Sequence, residues 1–154
     1  MPSPLQTELR QTRPFPGPEA EAVLGVVRTA ARFEGEIAEA LRPHGLTGTQ
    51  YNVLRILRGA GPGGLCRYEV ADRLVTPGPD VTRLLDRLED AGLTSRSRDP
   101  EDRRQVRAQI TDAGLALLAE LDGVLDALHR EQVGHLGQDR LRALSDLLAA
   151  ARDR

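Results

Sequence analysis

Five arginines, Arg96, Arg98, Arg103, Arg104 and Arg107, fall between Thr94 and Arg107 beside three acids, Asp99, Glu101 and Asp102. A guanidinium carries a fixed charge and a planar set of donors that fits phosphate oxygens and base edges. The chemistry on offer here is therefore recognition of an anion rather than bond-making. An arginine on a narrow loop tip can enter a DNA minor groove, where negative potential is focused. Just upstream, Thr76, Pro79, Asp80, Thr82 and Arg83 gather where a helix would begin, and the N–H groups of a helix start favour phosphates. Asp102 adds a carboxylate able to brace a neighbouring guanidinium so that the tip keeps its shape. Charge alone does not decide the partner. Residues 67–107 hold nine Arg and nine acids, a balance that suits a protein-binding surface as well as a nucleic-acid one.

Other chemistry is sparse. The single cysteine, Cys66, has no partner for an intrachain disulfide, which fits a reducing compartment. At a helix start it could be a redox-active thiolate or an inert packed thiol. His129 and His135 stand six apart, which is no zinc spacing. No nucleophile and base pair, Gly-rich phosphate loop or paired carboxylates are evident, so an enzyme is not expected, nor a metal or cofactor.

The elements that must position the arginines are mainly helical. At 154 residues, 40 % hydrophobic and only 3 % aromatic, the chain has to build its core from Leu, Val and Ala, which argues against an all-β fold. All 21 basic residues are Arg and the net charge is -2, so any basic surface must be local. Residues 1–18 read as a proline-punctuated arm, mobile unless a partner holds it and lacking the apolar run of a signal peptide. Apolar residues at three-to-four spacing predict a helix from Glu19 to Arg42, stopped by Pro43 and Gly45. Thr47 and Gln50 have capping-box spacing and open a helix over 48–59. After the glycines at 59–64, Leu65, Val70, Ala71 and Leu74 mark a short helix. Pro79 suits the first position of a strongly amphipathic one that buries Val81, Leu84, Leu85 and Leu88 and stops at Gly92.

The period then changes. Leu93–Arg98 and Arg104–Ile110 alternate in polarity and predict a two-stranded hairpin with a charged tip. Thr111 caps a long helix with Leu115, Leu118, Leu121, Leu125 and Leu128, and a last helix carries Leu141, Leu144, Leu147 and Leu148. No apolar run reaches the roughly 18 residues of a membrane span. A soluble, cytoplasmic protein with no membrane partner is expected.

Two short helices joined by a Pro/Gly turn and followed at once by a charged hairpin have the order of a winged helix-turn-helix, whose second helix fits the DNA major groove. The phrases LTGTQYNVL (46–54), LCRYEVADRL (65–74), TPGPDVTRLLDRLE (76–89), GL (92–93), DPEDRR (99–104) and TDAGL (111–115) together resemble the MarR (multiple-antibiotic-resistance regulator) family. The resemblance covers about residues 20–150. It implies a mainly α fold with a small β-hairpin wing, the N- and C-terminal helices forming a dimerisation region. The function implied is that of a homodimeric regulator of transcription, usually a repressor, that leaves double-stranded DNA when a small-molecule effector binds.

On that resemblance, Thr82 and Arg83 with the turn Thr76–Asp80 meet the major groove, Arg103 the minor groove, and Asp102 and Arg104 stabilise the wing. Arg96, Arg98 and Arg104 are further candidates for DNA contact. Arg28, Arg32, His44 and Tyr51 are candidates for the effector cleft, although the simpler reading of Arg28 and Arg32 is pairing with Glu36. The implied organisation is an arm at 1–18, a dimerisation helix at 19–45, a winged domain at 46–111 and dimerisation helices at 112–154. Independently of the family, the leucine stripes of 115–128 and 141–148 exceed what a small winged domain can cover, and a second copy would bury them.

Overall fold

The computed structural model describes residues 1–153. The chain divides into two compact units, residues 1–37 and 38–154. The first holds α1 (Pro4–Glu8) and most of α2 (Pro18–Leu41). The arm at residues 1–18 thus contains a helical turn that its prolines did not suggest. Ser3 caps the turn by accepting the Gln6 N–H at 3.2 Å, and Pro4 takes the first helical position, where no donor is needed. The Glu8 carboxylate meets Arg28 of α2 at 2.9 Å. Of the apolar stripe expected on α2 (Val23, Val26 or Val27, Ala30, Phe33, Ile37 and Leu41), only Leu41 is buried; Val23, Val26 and Val27 are exposed, as is Leu24 beside them.

The second unit opens with the last turn of α2, followed by a 3-10 turn, Arg42–His44, ended by Gly45 in the left-handed region. Next come α3 (Gly48–Ala60), β1 (Leu65–Cys66), α4 (Arg67–Arg73), α5 (Val81–Asp90), β2 (Thr94–Arg98), β3 (Val106–Ile110), α6 (Asp112–Val133) and α7 (Gln138–Arg152). The capping box is formed: Thr47 Oγ1 accepts from the Gln50 N–H at 3.2 Å, and Gln50 Oε1 accepts from the Thr47 N–H at 2.9 Å. Three strands are present among the described residues rather than two. Leu65, expected in a helix, lies in β1, which pairs antiparallel with β3 (Leu65 with Ala108, Cys66 with Arg107), and β3 pairs with β2 (Arg96 with Ala108, Arg98 with Val106).

The core is leucine. Leu54 and Leu57 of α3, Leu88 of α5 and Leu118, Leu121 and Leu125 of α6 are almost wholly buried, each worth about 1.5–3 kcal/mol over exposure. This corrects one expectation. Most of the stripe at 115–128 is spent inside the chain, with α3 packed on α6, and only Leu115 of it is left well exposed. Two glycines permit close approach. A Cβ at Gly114, at the start of α6, would stand 2.4 Å from the Leu93 carbonyl oxygen and 2.7 Å from Ile110 Cγ1. One at Gly64, in the turn before β1, would stand 2.4 Å from the Ala108 carbonyl oxygen.

Candidate nucleic-acid interface

Helix α5 presents one polar face. Val81, Leu85 and Leu88 point inward, while Thr82, Arg83, Asp86, Arg87 and Asp90 are exposed. Its start lies later than expected. Asp80, not Pro79, closes the first turn, with Oδ1 accepting the Arg83 N–H at 3.2 Å, and the helix runs from Val81. Asp80 therefore spends its carboxylate on the cap, and Pro79 and Thr76 belong to the preceding loop. That loop is held from below, because the Val75 N–H donates to Asn52 Oδ1 of α3 at 2.9 Å.

The hairpin of β2 and β3 stands beside α5. Arg96, expected among the DNA contacts, has its guanidinium occupied by α5, with Nη2 2.6 Å from Asp86 and Nε 2.5 Å from Glu89. The hydrogen bond to Glu89, then that to Asp86, raises its pKa against the opposing effect of desolvation. Arg96 thus fastens the wing to α5. It also absorbs two of the acids that would repel a phosphate backbone.

At the tip, Asp102 does not hold a guanidinium as expected. Its Oδ1 accepts the Arg104 N–H at 3.1 Å. The guanidinium is held instead by Asp99, whose Oδ2 lies 2.5 Å from Arg107 Nε and whose Oδ1 accepts the N–H groups of Glu101 and Asp102 at 2.8 and 3.2 Å. Those bonds, the one from Arg107 first, hold the Asp99 carboxyl below its usual range. Arg98 reaches across the tip to donate from Nη1 to the Arg103 carbonyl at 2.8 Å. The side chains of Arg83, Arg103 and Arg104 are exposed, and their guanidiniums form no ion pair among the described residues.

Sequence reasoning missed Asp99, Glu69 and Asn52 as positioning groups and read Arg107 only as charge. Glu69 had a visible signal. It stands three residues after Cys66, the capping-box interval, and its Oε2 accepts the Cys66 N–H at 2.8 Å, which lowers its pKa. Cys66 itself caps α4, is free and buried, and lines an open cavity of about 270 Å³ together with Tyr68, Thr82, Arg96 and Arg104. The four candidates for an effector cleft have local partners or packing. Arg28 pairs with Glu8 and Arg32 with Glu36 at 2.9 Å in the first unit. In the second, His44 is half-buried in the 3-10 turn, and Tyr51 is buried with the Arg55 guanidinium 6.0 Å from its ring. No helix among the described residues is long and apolar enough to cross a membrane.

Similarity to known proteins agrees with this geometry. The model of the MarR family matches residues 44–105, from the 3-10 turn to the wing tip. The HTH-type transcriptional regulator TtmR of Methylorubrum extorquens is 36 % identical over 137 residues, 88 % of this chain and 67 % of the relative. A MarR transcription factor from Planctomyces limnophilus superposes with a TM-score of 0.68 at 42 % identity, covering 88 % of this chain and 98 % of that one. BpsR of Bordetella bronchiseptica gives 0.79 at 25 % identity, covering 92 % and 99 %. With a winged helix-turn-helix in place and relatives this similar over most of its length, the chain belongs to the MarR family of DNA-binding regulators of transcription.

Proposed function

We propose that the protein works in the cytoplasm as a homodimeric repressor on a pseudo-palindromic operator and is released by a small ligand. The observation that carries the DNA reading is the clamp of Arg96 on Asp86 and Glu89. It sets the exposed Thr82 and Arg83 of α5 at a fixed offset from the unpaired Arg103 and Arg104 of the wing. One helix then reads the major groove while the tip reaches the adjacent minor groove. The loop Thr76–Asp80 and Arg98 lie beside these contacts and position them.

Support for two copies comes from apolar surface. Val23, Leu24, Val26 and Val27 on α2, and Leu144 and Leu147 on α7, are exposed in the single chain, and a second copy would cover them. Two-fold symmetry then places the half-sites about one helical turn apart. Support for ligand response comes from BpsR, whose structure concerns regulation of its DNA binding by 6-hydroxynicotinic acid. His44 and Tyr51 of the second unit remain residues proposed to line an effector site, and Cys66, buried and serving a helix start, is assigned to packing.

The test is a salt-titrated gel shift on the DNA upstream of the protein's own gene, run alongside sedimentation. Steep loss of affinity with salt and a particle of two chains support the reading. Arg103→Ala should weaken binding to all sequences, and Thr82→Ala or Arg83→Ala should also blur base preference by about 1–3 kcal/mol at one position per half-site. A single-chain particle, or no DNA binding even at low salt, would overturn it. The second result would favour a protein-binding module, for which the equal count of Arg and acids over 67–107 is suited.

A further inference from the structure

We propose that Arg107 is a positioning residue for DNA binding, acting through Arg103 at the wing tip. The inference rests on the reading of Arg103 as a DNA contact. Arg107 lies on β3 opposite Cys66, and its side chain reaches in two directions. Toward the tip, Nε donates to Asp99 Oδ2 at 2.5 Å. Toward the helix-turn-helix, Nη1 donates to the Gly64 carbonyl at 3.1 Å and stands 3.7 Å from Glu69 Oε2, the same oxygen that accepts the Cys66 N–H at the start of α4.

The far end of this chain of bonds is the tip itself. Asp99 Oδ1 holds the N–H groups of Glu101 and Asp102, the Asp99 N–H donates to the Gln105 carbonyl at 2.9 Å, and Asp102 receives the Arg104 N–H. Arg103 therefore sits in a loop braced by the Asp99 carboxylate, by the Asp102 bond to the Arg104 N–H and by the Arg98 bond to its own carbonyl, and of these braces it is Asp99 that the Arg107 guanidinium ties to the start of the helix-turn-helix. The anchor is itself stiff. Gly64 is pressed so close to β3 that no Cβ fits there, which brings its carbonyl within reach of Arg107. The Asp99 side chain is 12 % exposed and that of Arg107 29 %, so the pair is partly shielded from solvent and salt, which would loosen a fully exposed one. Arg107 touches no DNA in this account. It makes the position of Arg103 part of the same rigid body as α4.

A double-mutant cycle in the full-length protein tests it, read as operator affinity and salt slope, with Arg103→Ala, Arg107→Gln and the pair. Arg103→Ala is expected to lose on the order of tenfold in affinity and about one unit of salt slope. Arg107→Gln should lose as much of both, with the double variant no weaker than either single one. Thr82→Ala, on α5, should instead add its full effect to Arg107→Gln. Asp99→Asn, which cuts the same bond from the other side, should show the losses expected of Arg107→Gln and stands in for that variant if it fails to fold. Wild-type affinity in both Arg107→Gln and Asp99→Asn would overturn the proposal, and so would losses that simply add to that of Arg103→Ala. If Arg103→Ala itself binds like the wild type, the wing contact fails and this inference with it.

Discussion

The guanidinium of Arg58 on α3 and the carboxylate of Asp122 on α6 meet through two parallel bonds, Nη1 to Oδ2 at 2.8 Å and Nη2 to Oδ1 at 3.0 Å. The bond from Arg58 is the main reason that the Asp122 carboxyl sits below its ordinary range. A carboxyl depressed in the folded state stabilises the fold above its unfolded pKa, and that gain is lost as pH falls through the folded value. The wild type should therefore lose this contribution below about pH 4. Asp122→Asn should lack it at pH 7 and show a correspondingly shallower decline in acid. With both side chains substantially exposed, a double-mutant cycle should give no more than about 1 kcal/mol. Urea denaturation of both proteins at pH 7 and pH 3.5 checks it.

Arg96 and Arg103, seven residues apart in the same hairpin, have opposite assignments. The Arg96 charge is neutralised by Asp86 and Glu89, so Arg96→Gln should lower operator affinity by freeing the wing from α5 while leaving the salt slope unchanged. Arg103→Ala should flatten that slope, because a phosphate-side cation has gone. Equal slopes in the two variants would mean that Arg96 contacts DNA itself or that its loss displaces Arg103.

Gly114→Ala tests the seam where the wing meets α6. Its added methyl would press on the Leu93 carbonyl and on Ile110, and such overpacking typically costs about 1–3 kcal/mol. Thermal unfolding should show a clear drop in Tm, with operator affinity falling as the wing base shifts.

Leucines on α6 and α7 should separate folding from assembly. Leu121 is fully buried within one chain, while Leu147 is 69 % exposed. Leu121→Ala should destabilise the fold by about 2–5 kcal/mol. Leu147→Asp should leave helicity intact and shift the particle toward a single chain in sedimentation. A Leu147→Asp protein that remains a dimer would remove α7 from the proposed interface.

Much of this was legible in the amino-acid order because it depends on local rules. The Thr47 and Gln50 box, the inward set Val81, Leu85 and Leu88 (Leu84, expected with them, is only half-buried), the stop at Gly92 and the Thr111 cap each involve residues within a few positions of one another. What was not legible depends on partners far apart in the chain. β1 exists only because Leu65 and Cys66 meet Ala108 and Arg107 more than forty residues later. Arg96 looked like a DNA contact because its charge could be counted but its distance to Asp86 and Glu89 could not. The bracing carboxylate was placed on Asp102 rather than Asp99, because only the fold shows which acid faces the Arg107 guanidinium. Leu118, Leu121 and Leu125 read as surplus apolar surface until α3 was found to cover α6.

Hydroxyl-radical footprinting of the operator tests most directly whether α5 and the wing grip one duplex together, twice per assembly. The account predicts two protected stretches about one helical turn apart, each with a flanking minor-groove protection that Arg103→Ala removes while the central protection stays. A single unbroken block, or flanking protection that survives Arg103→Ala, would contradict it.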